Sequence, residues 1–60
     1  MKRFLVTMLD GTSYSVEARD YDAATDKAII ESLSIVRSWP MLPQEIHQAI
    51  SPREIELIEV

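Results

Sequence analysis

The chain has 60 residues, with 10 acidic and 6 basic side chains, a net charge of −4, one glycine, three prolines and no cysteine. That length supports one domain with a small core and no disulfide or Cys-ligated zinc to brace it, while a hydrophobic content of 47% excludes a disordered chain. No apolar run reaches the roughly 18 residues of a membrane span, and no signal-peptide pattern opens the chain, so the expected product is a small cytoplasmic module with no membrane partner.

The first predicted element is a hairpin. Residues 2–8 (KRFLVTM) and 12–18 (TSYSVEA) are rich in aromatic and β-branched types, and Asp10-Gly11 between them is a strong turn signal. Loop length decides the register. A two-residue loop sets Phe4 against Glu17 and mixes apolar with polar residues on both faces. A three-residue loop, ending on Gly11 in the left-handed conformation, pairs Met8 with Thr12, Val6 with Tyr14 and Phe4 with Val16. Arg3 then opposes Glu17 and Thr7 opposes Ser13 on the other face, so the three-residue loop is predicted. Leu5 and Leu9 depart from that polar face and are candidates for a contact surface.

Arg19 to Asp22 reads as a polar link, with Asp22 as the N-cap of a helix over residues 23–38. In that helix Ala24, Ala28, Ile29, Leu33, Ile35, Val36 and Trp39 fall on one half of the circumference, a broad apolar face suited to a sheet. Ile30 falls outside it. Pro40 ends the helix, and Pro43 suits the first position of a short second helix over residues 43–50. The tail carries two conflicting signals. Ser51-Pro52-Arg53-Glu54 matches a capping box, whereas Glu54-Ile55-Glu56-Leu57 alternates like a strand. A lone hairpin is marginally stable, so a third strand over about residues 54–59 is predicted. The order is then β-β-α-α-β, an α+β domain with helices on one face of a three-stranded antiparallel sheet.

Catalytic patterns are nearly absent, and no enzymatic activity, metal or cofactor is expected. There is no thiol, the single histidine is His47, and the single glycine rules out a phosphate-binding loop. Asp20, Asp22 and Asp26 lack the central glycine of a calcium loop and read as capping and solvating groups. Nucleic-acid binding is dominated by Lys and Arg on phosphates. Here Lys2, Arg3, Arg19, Lys27, Arg37 and Arg53 are scattered and outnumbered, so direct binding through Arg3, Arg19 and Arg37 is the weaker alternative.

Two features point to a protein partner. Trp39, Met41 and Leu42 lie in the proline-flanked stretch Trp39-Pro40-Met41-Leu42-Pro43, and Trp and Met suit binding surfaces. Asp20, Asp22, Asp26 and Glu31 gather around the start and outer face of the first helix, an acidic edge that suits a basic partner or imitates phosphate. A homodimer formed through Leu5, Leu9 and Trp39 is the alternative from a different class.

The run Phe4-Leu5-Val6, then Tyr14-Ser15-Val16-Glu17-Ala18, Tyr21-Asp22-Ala23-Ala24 and Ala28 resembles small accessory proteins of phages and prophages. In these a hairpin ending in Val-x-Ala leads through an acidic turn into an alanine-spaced helix. Phage inhibitors of host RNA polymerase share that outline, and some anti-CRISPR proteins are similar in size and acidity. The resemblance covers residues 3–30 and implies a stoichiometric inhibitor or adaptor that binds a host complex.

Overall fold

The computed structural model describes residues 1–60. Its elements are β1 (Lys2–Met8), β2 (Ser13–Ala18), α1 (Tyr21–Ser38), α2 (Pro43–Ile50) and β3 (Pro52–Glu59). The strands form an antiparallel sheet in the order β2-β1-β3, with the first strand at the centre. This is the expected β-β-α-α-β, α+β architecture, with the helices packed against one face of the sheet.

The hairpin takes the predicted register: Phe4 opposes Val16, Val6 opposes Tyr14, Arg3 opposes Glu17 and Thr7 opposes Ser13. Gly11 closes the three-residue loop with φ +93°, a conformation that costs other residues steric strain. Asp10 Oδ1 accepts from the Thr12 amide at 2.9 Å and steadies the turn.

The register puts Phe4, Val6, Met8, Val16 and Ala18 on the helix side, where they form one core with Ala24 and Ala28. Full burial of a side chain such as Phe4 contributes on the order of 1.5–3 kcal/mol. The two alanines let α1 approach the sheet closely, and the Tyr21 ring stands edge-on to Phe4 at 4.9 Å.

Three local expectations are corrected. The N-cap of α1 is Asp20, not Asp22: its backbone is extended and its carboxylate accepts from the Ala23 amide at 2.9 Å. The helix therefore begins at Tyr21, whose ring is drawn onto Phe4. The apolar face of α1 is only partly covered, because Leu33, Ile35 and Trp39 are exposed. Eighteen residues of helix span about 27 Å, longer than the six residues of β2 at about 20 Å. Burial runs through Ala24, Ala28 and Ser32 and then stops, so the last turns overhang the sheet within a body 36 Å long. Finally, β3 starts at Pro52, ahead of the expected residue 54. The Ser51 hydroxyl turns back to the His47 carbonyl at 2.5 Å instead of capping a new helix, and the Leu9 amide donates to the Ser51 carbonyl at 2.9 Å.

Trp39, held extended ahead of Pro40, ends α1, and α2 starts at Pro43 as predicted. The β1–β3 register shifts twice, leaving Arg53 and Ile58 as unpaired extra residues.

Candidate functional site

The C-terminal end of α1 and the link after it carry exposed apolar side chains. Trp39 is 66% exposed, Leu42 58% and Ile35 45%, with Met41 half-buried beside them. Ile35 and Trp39 are four residues apart and share a helix face. Leu9 is exposed in the hairpin loop, tied by its amide to Ser51 at the end of α2. Leu5 is half-buried on the opposite, helix-free face of the sheet, between Ser15 and Glu56. The structure therefore separates Leu5 from Trp39.

The acidic edge also divides. Asp20 is committed to capping, and Asp22 and Asp26 share a flank of α1 by their spacing. Glu31 lies about 140° around the helix from Asp26 and lines a different feature. This is a groove of about 370 Å³ between α1 and the free edge of β2, walled by Arg3, Ser15 and Glu17 on one side and Lys27, Ile30 and Glu31 on the other. Within it Arg3 bonds to Ser15 Oγ at 3.0 Å and pairs with Glu17 at 2.8 Å. The Lys27 ammonium donates to the main-chain carbonyl of Glu17. Sequence reasoning did not find this groove. Its one legible signal was Ile30, apolar yet off the core stripe, and it is 66% exposed here.

Arg3, Arg19 and Arg37 do not converge. Arg3 is engaged by Glu17, and Arg19 precedes α1 while Arg37 lies in its last turn, at opposite ends of a helix about 27 Å long. No three metal-ligating side chains gather at one point, and no helix is long and apolar enough to cross a membrane. His47 is exposed in the last turn of α2. Burial, and then the carboxylates of Asp10 and Glu31, push the Tyr14 phenol above its usual range.

No family model, curated protein or solved structure matches the chain.

Proposed function

We propose that the chain is a non-catalytic protein-binding module that acts as an inhibitor or adaptor on a larger bacterial complex, one that processes nucleic acid. The observation that carries this reading is the apolar end: Ile35, Trp39 and Leu42 are each exposed near the C-terminus of α1. A chain with a core this small gains stability from burying such side chains, and leaving them in water favours a partner that covers them. Trp is the residue type most enriched among interface anchors. The flank carrying Asp22 and Asp26 adds negative charge that steers basic surfaces toward the chain. The choice of a phage or mobile-element protein acting in a host cytoplasm rests on the resemblance over residues 3–30.

The test is affinity capture from bacterial lysate with the wild-type chain and with Trp39→Ala and Leu42→Ala, both checked by thermal melting. The expected result is a nucleic-acid-processing complex held by the wild type and lost by the variants at unchanged melting temperature. Retention of the same proteins by all three chains sinks the assignment of this surface. Turnover of any substrate by the purified chain sinks the non-catalytic reading.

A further inference from the structure

We propose that β2 pairs edge-to-edge with β2 of a second copy of this chain, about a two-fold axis at Ser15, joining two three-stranded sheets into one. The β2 edge is a different surface from the Trp39 end and pairs independently of it.

The backbone of β2 sets the phase. The Met8 amide donates to the Thr12 carbonyl, so along the ladder Tyr14, Val16 and Ala18 turn their main-chain groups toward β1. Ser13, Ser15 and Glu17 turn theirs outward. The Glu17 carbonyl confirms this direction, because it is reached from outside by Lys27. From Ser13 to Ala18 the strand keeps one unbroken register, with no bulge and no proline. It is an open template for another strand.

The sequence of this edge is self-complementary. In antiparallel pairing centred on Ser15, Ser13 of one copy lies opposite Glu17 of the other, Tyr14 opposite Val16, and Ser15 opposite Ser15. Apolar residues then meet on the helix side. On the open side a hydroxyl meets a carboxylate that Arg3 already neutralises. No like charges oppose one another, which a two-fold interface requires because each residue meets its own mirror patch. The other edge meets that requirement less well. Pairing β3 about Ile55 sets Glu54 on Glu56, and pairing it about Glu56 sets that carboxylate on itself. Pro52 and the extra residues Arg53 and Ile58 interrupt it further.

The groove beside β2 lies where the added strand would run. The added strand runs against Ile30, covering a side chain the single chain leaves exposed, while Tyr14 and Val16 stay with the core of their own chain. Lys27 must release the Glu17 carbonyl, which then accepts the Ser13 amide of the other copy. Lysine on an edge is a known guard against strand addition, so the Lys27 contact sets the threshold concentration for pairing.

Sedimentation equilibrium from about 5 to about 500 µM tests the proposal, since an obligate concentration dependence follows from mass action. The expected mass rises from 6.9 kDa toward twice that value. Over the same range the Ser13, Ser15 and Glu17 amides gain protection from hydrogen exchange. Ser15→Lys, which sets two ammonium groups together on the axis, raises the dissociation constant at least about tenfold. Ser15→Pro removes an amide the single chain leaves unbonded, and weakens pairing likewise. Both variants are first compared with wild type by melting at the lowest concentration. If either unfolds, the exchange data on the wild type decide alone. A mass that stays at that of one chain overturns the proposal. So does a dimer whose three edge amides exchange freely, or one dispersed by Trp39→Ala and indifferent to well-folded Ser15 variants.

Discussion

Met8 and Thr12 close the hairpin: the Met8 amide donates to the Thr12 carbonyl at 2.8 Å, and the Gly11 amide returns to the Met8 carbonyl at 3.0 Å. These two bonds enclose a three-residue loop whose last residue must take a positive φ. A Cβ added to Gly11 would meet no atom within 4 Å, so the cost of substitution is in the backbone conformation and not in crowding. Gly11→Val is expected to destabilise the domain by about 1–3 kcal/mol, and Gly11→Asn by distinctly less, because asparagine tolerates the left-handed region. Chemical denaturation of the two variants checks the ranking. Equal losses would place the cost in something other than φ.

The Asp20 carboxylate satisfies the Ala23 amide, one of the four donors that a helix start leaves unpaired. Asp20→Ala is expected to cost about 1 kcal/mol. Asp22, in the first turn without a capping bond, acts only through the helix dipole, and Asp22→Ala is expected to cost about 0.3–1 kcal/mol at low salt. The two differ in salt response. The loss at Asp20 persists when ionic strength is raised, and the loss at Asp22 shrinks. Denaturant midpoints at low and high salt separate them, and an Asp22 loss larger than that at Asp20 would reverse the assignment of the cap.

The hairpin was legible because its two faces differ in polarity. Once Phe4, Val6 and Met8 share a side, only one loop length places Tyr14 and Val16 opposite them. The third strand was legible from its alternation and from the need of a two-stranded ribbon for support. The extent of burial on α1 was not legible. Helical periodicity reports which residues share a face, and Ile35 does share one with Ala24 and Ala28, but it says nothing about where the sheet ends. Ser32 shows the converse. A serine on that face is completely buried because its hydroxyl donates to the Ile29 carbonyl at 2.7 Å, within its own helix. The β2 groove depends on Lys27 and Glu31 standing above an edge far away in sequence, and no local pattern records that. The cap at Asp20 was not legible because what draws Tyr21 into the helix is its contact with Phe4, which is tertiary.

Tyr14 couples stability to alkaline pH. Burial and the nearby carboxylates of Asp10 and Glu31 raise its phenol in the folded chain, so the native state holds the proton more tightly than the unfolded state does. Stability from this group is fully present below the unfolded tyrosine range, and is lost as pH rises through the higher folded value. The melting temperature is therefore expected to fall from about pH 10 upward. Tyr14→Phe should flatten that limb, so its difference from the wild type stays constant through neutral pH and changes only above about pH 10. An unchanged alkaline slope in Tyr14→Phe would assign the decline to other groups.

The residues between Pro40 and Pro43 divide into a support and a contact. Met41 is half-buried, so Met41→Ala removes apolar area that the fold partly covers. Its expected cost is about 1–2 kcal/mol, below the range for a fully buried methionine because the site is partly open. Leu42 and Trp39 are mostly in water, and Leu42→Ala and Trp39→Ala should stay within about 0.5 kcal/mol of the wild type. Binding responds the other way. Once a partner is in hand, truncating an exposed anchor speeds dissociation while leaving association nearly constant, so Trp39→Ala and Leu42→Ala should shorten the residence time of the complex. Met41→Ala should reduce binding only in proportion to the folded fraction it loses. Melting curves and dissociation rates on the same three variants decide the matter. Unchanged dissociation for well-folded Trp39→Ala and Leu42→Ala would remove this end of the molecule from the binding surface.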